Sequence, residues 1–271
     1  MDINTKVELN NGIKIPQLGL GVYKSPPGKE TEQAVLEALE AGYRHIDTAA
    51  YYRNEKDVGN AVKKSGVPRE DIFITTKLRN EDHGDVEKAL ETSLKNLGMD
   101  YVDLYLVHWP VEKIRGETWK QMIKLYDAGK CKAIGVSNYT ISHLRELISE
   151  TNTLPAVNQV EFHPYLYQKE LLDYCIEEDV QVEAYSPLTR GEKLADPKLV
   201  EIAKKYNKTP AQILIRWSLQ HDLVVLPKSI TKERIKQNSD VFNFSISSED
   251  MEKLNNFNEN LHTCWDPTSV P

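Results

Sequence analysis

Apolar residues recur along this chain in short runs separated by longer stretches of helical spacing. Residues 18–22, 43–47, 72–76, 102–107, 133–136, 156–160, 180–185 and 223–226 read as strands. Between and after them, apolar positions three and four apart predict helices near 30–41, 55–65, 86–97, 118–128, 141–150, 169–178, 199–206, 211–220 and 229–238. Gly42 follows the first helix as a natural C-cap. Ahead of the first strand, residues 7–9 and 13–15 flank Asn11-Gly12. That pair supplies the positive φ angles of a tight turn, so the segment reads as a hairpin.

Eight strands alternating with helices, the hairpin standing outside the count, predict an α/β fold. It is a (β/α)8 TIM barrel in one domain over residues 1–271. Helices on the outside of a parallel sheet account for the apolar interiors of most strands. A doubly wound sheet is the alternative, because periodicity does not count closure. Gly19-Leu20-Gly21-Val22-Tyr23-Lys24 holds only two glycines of a dinucleotide fingerprint, which argues against that fold's usual nucleotide turn. The tail, residues 258–271, is polar, contains two prolines and reads as an irregular strap.

Composition narrows the function classes. The 271 residues are 40% hydrophobic, enough for a substantial core. Acidic residues number 41 against 34 basic, a net charge of -7 that argues against a general nucleic-acid or bilayer surface while leaving room for a local basic pocket. Cys131, Cys175 and Cys264 lack metal-ligand spacing and fit reduced thiols in a cytoplasmic protein. The amino terminus lacks an apolar signal region and no run approaches a membrane span. His45, His143 and His163 form no metal trio with carboxylates at characteristic spacing. His-Glu-x-x-His and Gly-x-Ser-x-Gly are both absent, so metal hydrolysis and serine esterase chemistry rank low.

Candidate chemistry lies at the strand ends. Asp47, Tyr52, Lys77 and His108 stand at or just beyond the ends of three strands, and in a strand–helix repeat those ends open on one face. A tyrosine hydroxyl, with an ordinary pKa of ~10, is a poor acid at neutral pH. A nearby ammonium, here Lys77, favours tyrosinate and eases proton loss from Tyr52. Asp47 would hold that ammonium charged, and His108 would donate a hydrogen bond to a carbonyl oxygen. The group suits reduction of an aldehyde or ketone, in which carbon gains hydride and oxygen gains a proton. Each residue also has a bland account. Asp47 could be a helix cap or loop brace, Tyr52 a half-buried aromatic, Lys77 a snorkelling side chain and His108 packing before a turn. Their recurrence on one face favours the chemical account.

Three segments carry a family resemblance across essentially the whole chain. Gly42-Tyr43-Arg44-His45-Ile46-Asp47-Thr48-Ala49, with Tyr52 and Asn54-Glu55 following, is similar to the first signature of the aldo-keto reductases. Ile74-Thr75-Thr76-Lys77-Leu78 and Asp103-Leu104-Tyr105-Leu106-Val107-His108-Trp109-Pro110 resemble the segments that carry its lysine and histidine. The resemblance is nearest to the shorter microbial-type members, those looking like diketogluconate, glyoxal and prostaglandin F reductases. It implies hydride transfer from a reduced nicotinamide, with Asp47, Tyr52, Lys77 and His108 as catalytic tetrad and Tyr52 as general acid in reduction.

The resemblance also implies a cofactor site. Ser137, Asn138 and Gln159 would orient the nicotinamide ring, and Tyr185, in Ala184-Tyr185-Ser186-Pro187-Leu188, would stack on it, with Ser186 and Leu188 alongside. Pro227-Lys228-Ser229-Ile230-Thr231-Lys232-Glu233-Arg234 resembles the family's phosphate-binding turn. Lys228, Ser229 and Arg234 would meet the phosphate on the adenosine ribose, Ile230 and Thr231 would line the cofactor in the same turn, and Gln237 and Asn238 would lie near adenine, favouring NADPH/NADP+ over NADH. Caps and a solvated basic helix are the bland accounts of these residues.

Arg79 stands where the family usually carries tryptophan. It would attract a carboxylate or hydroxyl-rich group if it faces the pocket, and would otherwise swing into solvent, as arginine mostly does. Tyr23, Trp109 and Trp265 are the other candidate substrate walls. The expected protein is a monomeric cytoplasmic enzyme acting on a small aldehyde or ketone, with neither nucleic acid nor membrane as partner and no metal. A nicotinamide-binding regulatory or channel-associated protein with weak turnover is the competing class, and an unrelated barrel isomerase, needing no nicotinamide site, ranks below both.

Overall fold

The computed structural model describes residues 1–271. A hairpin of β1 (Lys6–Glu8) and β2 (Lys14–Pro16) precedes eight parallel strands: β3 (Leu20–Gly21), β4 (His45–Asp47), β5 (Phe73–Leu78), β6 (Val102–Val107), β7 (Cys131–Ser137), β8 (Val157–Glu161), β9 (Gln181–Tyr185) and β10 (Val224–Leu226). Each pairs with its sequence neighbour. Parallel bridges from Leu18 to Val225 and from Gly21 to Lys228 bring the first strand against the last. Gly19 N and Gly21 N donate to Val225 O and Pro227 O at 2.9 and 3.2 Å, while Val225 N returns a bond to Gln17 O at 2.8 Å. The sheet closes as a (β/α)8 barrel, and the doubly wound alternative falls with that closure.

Ten helices cover the barrel's outside and flanks: α1 (Lys29–Glu40), α2 (Glu55–Ser65), α3 (Val86–Leu97), α4 (Arg115–Asp127), α5 (Ile141–Thr151), α6 (Lys169–Glu177), α7 (Pro197–Lys205), α8 (Pro210–Gln220), α9 (Lys232–Ser239) and α10 (Ser248–Asn255). Helix α1 shows the logic: its buried residues Thr31, Ala34, Val35, Ala38 and Leu39 fall three and four apart on one stripe. Beyond its end Gly42 adopts φ 97°, as a residue just past a helix terminus should. Helices α2 and α3 approach closely at Gly59, where a Cβ would lie 2.0 Å from Leu97 O.

The strands are layered inside. Phe73, Leu104, Ala133, Val157 and Val224, in the first halves of their strands, form an apolar floor with Leu106 packed on it, and Leu9 and Ile15 of the hairpin seal it from below. Asn10 Nδ2 donates to Pro155 O and Asp179 O at 3.1 and 3.0 Å, and Asn11 Nδ2 donates to Lys132 O at 3.0 Å, pinning the hairpin there. Side chains alternate in and out along a strand, so Phe73, Thr75 and Lys77 of β5 climb from the floor to the open end. The interior is therefore apolar at the closed end and polar at the open one.

Three local expectations change. In the hairpin turn only Gly12, at φ 81°, is left-handed; Asn11 is not, and Gly12 N bonds Leu9 O at 2.8 Å. The connection is a three-residue loop over 10–12 rather than a two-residue turn. Helix α9 starts at Lys232 rather than 229, because Ser229 Oγ accepts from Thr231 N at 3.1 Å and holds a turn ahead of it. Helix α10 was not expected: its apolar stripe is short, but Ser247 Oγ caps it by accepting from Asp250 N at 3.2 Å. The tail beyond it carries only a 3-10 turn, Pro267–Ser269. No helix is long and apolar enough to cross a membrane.

Candidate active site

The carboxyl-terminal strand ends open on a cleft of about 1250 Å³. Asp47 ends β4, Lys77 is the penultimate residue of β5, and His108 directly follows β6. Tyr52 closes a 3-10 turn, Ala50–Tyr52, that leaves β4. That loop is braced on both sides. Thr48 Oγ1 donates to Asn54 Oδ1 at 2.8 Å, and Asn54 Nδ2 donates to Val22 O at 3.0 Å. The buried Glu55 carboxylate accepts from Thr76 Oγ1 and Asn96 Nδ2 at 2.7 and 3.1 Å, fixing the first turn of α2.

Lys77 is fully buried beneath the cleft. Its ammonium donates to both Asp47 oxygens at 2.7 Å and to Thr48 O at 2.9 Å, and stands 3.4 Å from Tyr52 Oη. The rings of His108 and Tyr52 meet edge to face, with centroids 5.7 Å apart. Burial pushes the Tyr52 hydroxyl well above the usual phenol range, and the Asp47 carboxylate adds to the rise. This reverses the expected direction, in which the ammonium would favour tyrosinate: desolvation outweighs Lys77. Tyr52 therefore rests protonated, the form a proton donor needs. Burial, with the Lys77 charge behind it, holds the His108 imidazole down at about 3, so the ring is neutral near pH 7 and can offer an N–H.

Beside this group, Ser137, Asn138 and Tyr185 are tied to one another. Ser137 Oγ donates to Gln159 O at 2.9 Å, Asn138 Nδ2 donates to Ser137 Oγ and His108 O at 3.1 and 3.0 Å, and Tyr185 Oη donates to Asn138 Oδ1 at 2.8 Å. Ser186, at φ 49°, turns the chain out of β9 toward Leu188, and both line the cleft. At the far lobe stand Lys228, Ser229, Ile230, Thr231, Arg234, Gln237 and Asn238. The Ser229 hydroxyl is committed to Thr231, whereas Lys228 and Arg234 take part in no ion pair of the protein. Two free cations on a chain of net charge -7 fit a phosphate.

The expected substrate walls also border the cleft. Tyr23 lies 4.9 Å from the Tyr52 ring, and Trp109 meets Trp265 edge-on at 6.2 Å. Trp265 is 68% exposed, so it forms a rim rather than a floor. Arg79 is neither loose in solvent nor fully turned inward. Its guanidinium grips Asp82 through two bonds of 2.7 and 3.0 Å, leaving its side chain 39% exposed at the rim.

Several residues were not singled out from sequence. Arg190 lies over the Tyr23 ring at 5.7 Å and donates to Thr263 O at 2.6 Å. The Glu161 carboxylate accepts from Thr263 N and Cys264 N, each at 3.0 Å, clamping the strap that carries Trp265. Cationic charge just after Ser186-Pro187-Leu188 was the available signal for Arg190; Glu161 ends β8 after the polar Asn158 and Gln159, and nothing in that run ties it to Thr263, 102 residues on.

The family model "Aldo/keto reductase family" matches residues 17–259. The chain belongs to that family. Among aldo-keto reductase relatives it is 50% identical over 255 residues to a glyoxal reductase of Bacillus subtilis, covering 93% of this chain and 92% of that one. It is 46% identical over 267 residues to a methylglyoxal reductase of Escherichia coli K12, covering 97% of each. The solved aldo-keto reductase of Bombyx mori in complex with NADP superposes with a TM-score of 0.91 at 37% identity, covering 97% of this chain and 96% of that one. Membership supports an oxidoreductase function, and NADP(H) is the cofactor typical of such aldo-keto reductases.

Proposed function

We propose that the protein is a cytoplasmic, monomeric NADPH-dependent reductase of small aldehydes or ketones. The observation that carries the reading is the Lys77 ammonium, which binds Asp47 while standing 3.4 Å from the hydroxyl of a protonated Tyr52 at the cleft floor. When bound, NADPH supplies hydride to the carbonyl carbon. His108 orients the carbonyl oxygen through a ring N–H. Tyr52 gives its proton to that oxygen as negative charge develops, and Lys77, held by Asp47, stabilises the phenolate left behind. Gln159, Asn138 and Ser137 would hold the carboxamide, Tyr185 the ring face, and Lys228 and Arg234 the ribose phosphate. The names of the relatives direct the substrate search to small dicarbonyls.

The test follows NADPH consumption against glyoxal, methylglyoxal, a keto sugar acid and an aromatic aldehyde, with NADH as control. Tyr52→Phe keeps the ring but removes the transferable proton, and should cost ~10²–10⁴-fold in turnover while NADPH still binds. Undiminished turnover, with chemistry rate-limiting, would remove Tyr52 from the mechanism. Saturable NADPH binding by the wild type without carbonyl turnover would restore the regulatory reading.

A further inference from the structure

Beneath the cleft lies a closed polar cluster that the chemistry above leaves unexplained. Glu183, in the middle of β9, is fully buried, as is His45 on β4. Gln159 sits between Glu183 and Asp47: its Nε2 donates to Asp47 Oδ2 at 2.8 Å and to Glu183 Oε2 at 2.6 Å. We propose that Glu183 is a positioning residue that holds the Gln159 amide by its nitrogen, so that Gln159 turns only its carbonyl oxygen toward the cleft. The nicotinamide consequence of this orientation rests on the functional reading above; the orientation itself does not.

The argument begins with donor counting. A carboxamide nitrogen has two hydrogens, and both are committed here, one to each carboxyl group. The opposite flip would set the amide oxygen against oxygens of two acidic side chains, which no proton arrangement satisfies as well. Gln159 Oε1 accepts no bond from the protein, and Gln159 borders the cleft. The residue thus offers an acceptor and withholds its donors. A nicotinamide carboxamide would meet it through its own N–H. Remove Glu183, and one Gln159 hydrogen is released and the flip is no longer determined.

Charge fixes the state of Glu183. The groups facing it are His45 and Asp47 from β4, Thr75 and Lys77 from β5 and Gln159 from β8, while β10 presents only Val224, Val225 and Leu226. Lys77 is occupied by Asp47, so an ionised Glu183 would be a buried charge without a counterion. Burial and the Asp47 carboxylate raise Glu183 far above the carboxylate range, and burial keeps His45 neutral. Because Oε2 accepts from Gln159, the acid proton belongs on Oε1. That atom has no hydrogen-bond partner, its nearest basic neighbour being His45 Nε2 at 3.6 Å, which also meets Thr75 Oγ1 at 3.0 Å. Glu183 serves as a neutral acid.

This makes Glu183→Gln and Glu183→Met unequal. Glutamine reproduces the acid, with an oxygen for Gln159 and an NH₂ where the proton lies; methionine fills the space and supplies no acceptor for Gln159. Calorimetric titration with NADPH, without carbonyl substrate, should give E183Q within ~2-fold of wild type and E183M weakened ~10-fold. The 2′-phosphate of ADP-ribose, which lacks nicotinamide, should bind all three proteins alike. Equal loss of both ligands in E183M, or unchanged NADPH affinity in a folded E183M, overturns the proposal. E183Q behaving like E183M overturns the neutral acid.

Should E183M fail to fold, thermal midpoints of wild type and E183Q from pH 6 to pH 9 decide. The folded state keeps a proton on Glu183 that the unfolded chain has released, so wild-type stability is lost as pH rises from the ordinary carboxylate range through the raised folded value. E183Q should lack that alkaline loss. An identical loss in both proteins would sink the proposal.

Discussion

Lys77→Met puts the central ion pair under direct strain. The substitution keeps an unbranched chain of similar bulk but removes three donors from a fully buried position: two bonds of 2.7 Å to Asp47 and one of 2.9 Å to Thr48 O. Asp47 then keeps only the Gln159 amide as a side-chain donor at 2.8 Å, and its charge loses its counterion. Breaking a buried pair from one side costs ~3–5 kcal/mol, because the surviving charge is left uncompensated. At ~2–3 °C per kcal/mol for a chain of this length, the thermal midpoint should fall by roughly 6–15 °C. Urea unfolding followed by circular dichroism would give the free energy, with an unchanged slope showing that the unfolded state is not at issue. Adding Asp47→Asn to Lys77→Met should recover ~1–3 kcal/mol, since the stranded charge disappears. A Lys77→Met protein within ~1 kcal/mol of wild type, or a double variant whose losses simply add, would refute the account of a buried, mutually dependent pair.

Other perturbations reach the remaining features. Arg234→Ala should weaken NADPH ~10-fold or more in equilibrium titrations while leaving NADH within ~2-fold, because only NADPH carries the ribose phosphate; equal losses would point to a disturbed helix α9 instead. Arg79→Trp should raise the kcat/KM ratio of neutral over carboxylate-bearing aldehydes by ~3–10-fold, and an unchanged ratio would leave Arg79 with Asp82 as a rim brace only. Burial lowers both His45 and His108 to about 3, so below ~6.5 the unfolded chain binds protons that the folded one refuses. In the E183Q protein, where Glu183 no longer titrates in the opposite sense, stability should therefore fall by roughly 3 kcal/mol between pH 6.5 and 5, shared about equally by His45 and His108, and a flat urea-unfolding profile over that range would contradict it.

What could be read from sequence follows from where the information sits. Asp47, Lys77 and His108 were visible because each is a polar residue at the end of an apolar run, and the barrel turns that one-dimensional position into a shared face. Tyr52 was visible more weakly, five residues past the end of the same run as Asp47, and the family signature strengthened its pairing with Lys77 on the next strand. Glu183 escaped because an inward polar residue in mid-strand looks like noise until its partner is known, and His45 was weighed only as a metal ligand, not as its neighbour. Gln159 and Asp47 are 112 residues apart, and no local pattern links them. Burial explains the one electrostatic expectation that reversed: sequence supplied the ammonium beside Tyr52 but not the depth at which both are buried. Helix α10 was missed for the opposite reason, its signal lying in the Ser247 cap and not in a long apolar stripe.

The barrel's seam has a consequence for synthesis. Leu18 pairs with Val225, so the first barrel strand waits for a partner that leaves the ribosome roughly 200 residues later, ~10–40 s at ordinary elongation rates. Through that interval the side of β3 facing away from β4 is an unpaired edge on a nascent chain. Its regular ladder is only two residues long, Leu20–Gly21, which leaves little template for another chain to join. The shortness of the opening strand thus protects the growing polypeptide, at the expense of a seam that locks last.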